Sequence, residues 1–220
     1  GTAVIWICFG MGLCVIANAG TSFLVTFFKN LGITLTQGDV AKPNSIFECI
    51  LDIIGIAIVP AICEEFAMRC CALGLLKNYG KAFGVVSVSV VFGLLHGNVI
   101  QFIFAFLVGL VLAYITIKTE SIIPAMCIHA LNNGMSAVSD TVNYAAGKEV
   151  NITVGFFAFW LLVGIIATIY LAIKRKLTIP KDDGNCVLTL GEKVSSFFFP
   201  GMILPFIVLI IMTAQTVKIG

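Results

Sequence analysis

One stretch limits what this chain can become more than any other. From Ile46 to Leu76 nearly every residue is apolar, yet Glu64, Glu65 and Arg69 stand together within the run. Each ionised group near the middle of a bilayer helix costs roughly 2.5–3.5 kcal/mol, so three of them in six positions need a use. Glu65 and Arg69 are four apart with the acid first, the favourable order for a helical pair. Glu64 lies about 100° further round the helix, and its i+4 position is Met68. The pattern makes Glu65 the counter-ion of Arg69, a structural ion pair, and leaves Glu64 free for chemistry.

The surroundings of that stretch are lipid rather than water. Of the 220 residues 60% are hydrophobic and 11% charged, and the mean hydropathy is +1.09. A helix crosses a bilayer with about 20 apolar residues. Hydropathy and breakers divide the chain into about seven spans, over 3–28, 45–78, 82–96, 99–117, 122–138, 152–173 and 194–217. The fold class is therefore all-α, a polytopic transmembrane bundle in a single domain, 1–220. Ser45 caps the second span, and Pro60 is expected to kink it just before the glutamates, aiming them inward. Pro124 falls in a first turn, where proline is tolerated. Residues 139–151 read as a polar loop, and Pro200 and Pro205 interrupt the seventh span. The first apolar run exceeds the about 7–15 residues of a signal-peptide core, and reads as a true span in a chain trimmed at its start. Seven cysteines lie in or beside apolar runs without any C-x-x-C pair, and read as reduced packing residues. Cys186 alone sits in a polar loop.

Charge gives the orientation. Loops after spans one, three and five hold Lys29, Lys42 and Lys148, whereas the opposite side holds Lys77, Lys81, Lys118, Lys174, Arg175, Lys176, Lys181 and Lys193. The positive-inside rule makes the second set cytoplasmic. A net charge of +2 carried at span ends points to no nucleic acid; the partner is the lipid bilayer. There is no internal repeat, P-loop or dinucleotide fingerprint.

Two more polar pairs at i, i+4 lie in the spans. Phe92 precedes His96 in the third, and His129 precedes Asn133 in the fifth; these are the chain's only two histidines. At about 1.5 Å per residue, Glu64 lies about 20 Å from Lys77, His96 about 22 Å from Lys81 and His129 about 16 Å from Lys118. Three helices thus bring Glu64, His96 and His129 to similar depth, which a shared site requires. A lone intramembrane histidine would most simply be a helix–helix hydrogen bond; two, with a spare glutamate and an asparagine at matching depth, argue for chemistry.

Glu-Glu-x-x-x-Arg at 64–69, Phe-x-x-x-His at 92–96 and His-x-x-x-Asn at 129–133, in that order, resemble the motifs of the CPBP family of intramembrane proteases, which includes the type II CAAX prenyl endopeptidases. The resemblance covers 45–137, the motif-bearing core. It implies an intramembrane endopeptidase with a site open toward the cytoplasm, acting on a peptide or membrane-anchored protein substrate; the short chain and compact loops suggest a bacterial cell membrane. The roles it suggests are Glu64, supported by His96, as general base on a water, and His129 with Asn133 as oxyanion donors, with Phe92 in support. No cofactor is the preferred reading; zinc held by His96, His129 and Glu64 is the rival. Against zinc, asparagine is a poor ligand and no H-E-x-x-H pair sets two histidines on one helix. Two non-hydrolytic functions compete: a bacteriocin self-immunity or scaffold protein, and a proton-coupled carrier. The carrier is disfavoured by the absence of a repeat and by polar residues gathered at one depth.

Overall fold

Apolar runs fold into helices because a lipid-facing backbone must satisfy its own hydrogen bonds, and helix dominates the computed structural model, which describes residues 2–36, 38, 42–181, 188–197 and 200–219. In chain order α1 is Thr2–Asn30, α2 Ile46–Tyr79, α3 Lys81–Leu94 and α4 Val99–Thr119. Then follow α5 Ile123–Ala146, α6 Thr153–Ile173, α7 Leu190–Phe197 and α8 Pro200–Ala214. The all-α class holds, with one addition. Strands β1 (Ile33–Leu35) and β2 (Val217–Ile219) pair antiparallel, with Thr34 opposite Lys218. This ribbon ties the exit of α1 to the end of α8.

Helices α1, α2, α4 and α6 are long and apolar enough to cross a membrane. The count of about seven spans is not reached on length and composition. Helix α3 and residues Pro205–Ala214 are apolar but short, and α5 carries His129, Asn132, Asn133, Ser136 and Asp140 along its length. Large apolar side chains face outward on α2 (Ile50, Ile54, Ile58, Ile62) and on α6 (Leu162, Ile166, Ile169, Ile173). Exposed apolar area of that extent marks contact with lipid; the chain is an integral membrane protein.

The main core lies where α1 meets α4, α5 and α6. Trp6, Phe9, Met11 and Cys14 pack with Leu112, Ile115, Ile128 and Leu171. Here α1 and α6 touch backbone to backbone: a Cβ on Gly12 would sit 2.7 Å from the Gly164 Cα. A smaller cluster, Leu73, Val88 and Ala113, joins α2, α3 and α4. The seven described cysteines are all free thiols; Cys186 lies outside the described residues.

Several boundaries differ from the sequence reading for local reasons. Helix α3 ends at Leu94, so His96 stands in the turn that follows rather than on the helix. Gly97, at φ +66°, turns the chain, and Asn98 caps α4 by accepting from the Gln101 N–H at 2.8 Å. Residues 139–146 continue α5 instead of forming a loop, because nothing breaks the helix until Gly147 takes the left-handed position at φ +61°. The seventh span begins as a separate helix, α7, four residues before 194.

Candidate active site

The site begins with the way α2 starts and distorts. Ser45 and Glu48 form a capping box: Ser45 Oγ accepts from the Glu48 N–H at 3.2 Å, and Glu48 Oε2 accepts from the Asn44 N–H at 2.7 Å. The helix then widens twice into π-helix, over Ile53–Ile58 and Phe66–Ala72. Such widenings recur at functional sites, and these two flank the glutamates. Pro60, between them, has no N–H with which to serve the carbonyl of Ile56 four residues earlier. That carbonyl finds its donor on α5, where Asn133 Nδ2 donates to it at 3.3 Å.

Glu65 and Arg69 are fully buried and paired, Nη1 to Oε1 at 3.0 Å. The same Oε1 accepts from His129 Nδ1 at 2.8 Å. That bond spans two helices and is invisible to sequence spacing, which saw Glu65 only as the partner of Arg69. It fixes the imidazole: with Nδ1–H on the carboxylate, Nε2 is turned the other way. There it faces Glu64, whose Oε2 lies 4.0 Å off on a side chain still 42% exposed.

Phe92 gathers the remaining pieces. The Arg69 guanidinium lies over its ring at 4.5 Å, a cation–π contact. The rings of His96 and His129 meet it edge-on, at centroid distances of 5.2 and 5.8 Å. His96 Nδ1 donates to the Phe92 carbonyl at 2.8 Å, one of the carbonyls a helix end leaves open, so its Nε2 also carries a free lone pair. Arg69, His96 and His129 therefore lie around one aromatic ring, and Glu64 and Glu65 join it through His129. Asn133 is the partial exception: one of its amide hydrogens is taken by Ile56, and its Oδ1 accepts from Asn132 Nδ2 at 3.3 Å. Glu65 Oε2, Arg69 Nε and Arg69 Nη2 are buried without a partner among the described residues.

Among the described residues no three His, Cys, Asp or Glu side chains converge on one point. His129 directs Nδ1 to Glu65 and His96 its Nδ1 to a backbone carbonyl, so each keeps Nε2 for a further partner, as a metal-ligating histidine also does.

Buried carboxylate, paired histidine and a second, accessible carboxylate define the class of the centre: ionisable groups gathered inside a membrane protein. The comparison with protein families narrows it. The model described as Rce1-like, type II CAAX prenyl endopeptidase Rce1-like, matches residues 46–135. Over that stretch, which contains every residue of the site, the chain is similar to the type II CAAX prenyl endopeptidases. No curated protein matches. No solved structure matches either.

Proposed function

We propose that the protein hydrolyses a peptide bond of a membrane-associated substrate, with Glu64 as general base. The observation that carries this is the Glu64–His129–Glu65 alignment. A water hydrogen-bonded at about 2.8 Å to both Glu64 Oε2 and His129 Nε2, which are 4.0 Å apart, subtends about 90°, close to its own bond angle. Glu64 takes one proton from that water, and the oxygen attacks the scissile carbonyl carbon. The carbonyl π electrons move to its oxygen, giving a tetrahedral oxyanion. Asn133 has one amide hydrogen left to donate to it. Glu64 then returns the proton to the leaving nitrogen as the C–N bond breaks.

Glu65 supports this from behind, as a buried carboxylate that holds the histidine's tautomer and orientation. In this reading His129 orients and polarises the water rather than serving first as an oxyanion donor, and His96 Nε2 is a further acceptor beside Phe92. The partnerless buried atoms of Glu65 and Arg69 are places where ordered water would be held. No step passes through zinc. The substrate class follows the name of the matched family, a CAAX-type tail on a lipid anchor. The reading is tested by incubating reconstituted protein with a prenylated CAAX peptide in heavy-oxygen water. One heavy oxygen in the new carboxyl terminus is the expected result; intact peptide with folded protein refutes it.

A further inference from the structure

A second concave site lies at the Lys/Arg-rich end of the bundle, where α1 and α5 begin and α4 and α6 end. It is a cavity of about 510 Å³ whose lining brings together Lys118, Arg175 and Lys176 with the hydroxyls of Thr119 and Ser121. No carboxylate lines it; Glu120, next along the chain, is exposed to solvent. Its apolar wall includes Trp6, which meets Tyr114 edge-on at 6.0 Å. Aromatic rings of this kind settle at headgroup depth.

The backbone is unusual at the same place. Among the described residues the only non-glycine positive φ angles are those of Glu120 and Arg175, both 52°, and they end the two helices that flank the cavity. The Arg175 N–H donates to the Ala172 carbonyl and the Lys176 N–H to the Leu171 carbonyl, both at 2.9 Å. These paired bonds belong to a helix end whose left-handed position is usually glycine. Holding an arginine there is unfavourable, and such strain gathers at ligand clamps. The chain beyond is pinned down: Tyr114 Oη donates to the Thr178 carbonyl at 3.2 Å, and Lys118 Nζ to Thr178 Oγ1 at 2.8 Å. Arg175 and Lys176 are thereby fixed at the cavity. Ile173, Ile169 and Ile166 form exposed apolar surface along α6, the helix that ends at these residues.

We propose that this cavity binds the phosphate headgroup of an anionic phospholipid. Arg175 and Lys176 contact the phosphate, Ser121 and Thr119 the polar head, and the acyl chains lie along the apolar face of α6. A free phosphate compound shares the charge chemistry but has no use for that face, which is why the lipid is favoured.

The test uses the full chain in phosphatidylcholine nanodiscs with phosphatidylglycerol admixed, with retained lipid counted by native mass spectrometry. Wild type should keep phosphatidylglycerol in preference to phosphatidylcholine. At about 1 kcal/mol per basic residue near an anionic surface, the Arg175→Gln/Lys176→Gln double variant should retain it about 30-fold less well. Lys42→Gln/Lys148→Gln, the same charge loss at the other end, should behave as wild type. Arg175→Gly relieves the strained backbone, so it should fold at least as well as wild type yet lose retention about five-fold. Equal loss in both double variants, unchanged retention in Arg175→Gly, or no headgroup preference in wild type would overturn the proposal. So would displacement of the lipid by inorganic phosphate, which would assign the cavity to a soluble phosphate compound.

Discussion

At the scale of single residues, the two adjacent glutamates divide their work by burial and partner. Glu65 shares one oxygen between Arg69 and His129 in a fully buried setting. Removing it strands a charge, at a cost of about 3–5 kcal/mol, so Glu65→Ala should lower the thermal midpoint sharply and reduce the yield of folded protein. A variant that melts like wild type would contradict the buried pair. His129 offers a test of the metal question. If Glu64 activates water directly, strong chelators leave activity intact and His129→Asn gives a graded loss of about 10²–10³-fold, the size of one lost polar contact to the reacting groups. Activity abolished by chelation and restored by added zinc would instead make these residues ligands. What the sequence made legible at this scale was the Glu65–Arg69 pair and the approach of Glu64 to His129. Both follow from local spacing and depth. The His129–Glu65 bond was not legible, because it joins residues 64 positions apart on different helices and depends on how those helices are rotated.

Among the elements, α2 and α5 are joined by a polar link that a proline creates. Pro60 withholds an N–H from Ile56, and Asn133 supplies one from across the interface. Asn133→Ala should therefore cost about 1–3 kcal/mol for the unpaired carbonyl. Adding Pro60→Ala, which restores a backbone donor to α2, should recover part of that stability without recovering the cleavage lost with Asn133. A double variant as unstable as the single one would show that the carbonyl is not what Asn133 serves. Further along, α7 opens with a reciprocal box: Glu192 Oε2 accepts from the Thr189 N–H at 2.7 Å and its hydroxyl at 2.8 Å. These bonds hold the Glu192 carboxyl below its ordinary 4.5. A lowered pKa stabilises above the unfolded value and is lost as pH falls through the folded one. Amide exchange at the start of α7 should accordingly quicken below about pH 4.5 and be pH-insensitive in Glu192→Gln. The sequence pattern placed most helices within a few residues, because lipid demands long apolar runs. It missed the extension of α5 through 146, where polar residues mimic a loop although the helix has no breaker. It missed the π-helical stretches as well, since they change no residue type.

On the scale of the whole molecule, the motif-bearing helices are held by others that carry no motif. Helix α1 is central to the core, and its crossing with α6 at Gly12 and Gly164 leaves no room for a side chain against the opposite backbone. Gly164→Leu should force α6 away, with destabilisation of at least the about 1–3 kcal/mol typical of overpacking, seen as a lower thermal midpoint and weakened cleavage. Hydropathy alone treated α1 and α6 as bulk, and nothing in their composition marks that crossing as the closest in the bundle. The account as a whole turns on Glu64 as the base, standing beside a histidine that Glu65 holds in place. The most direct measurement compares cleavage by reconstituted wild type and Glu64→Gln, with thermal melting of both as the folding control. Loss of about 10²–10⁴-fold in rate at an unchanged midpoint is the predicted result; a Glu64→Gln protein that cleaves at the wild-type rate would contradict it.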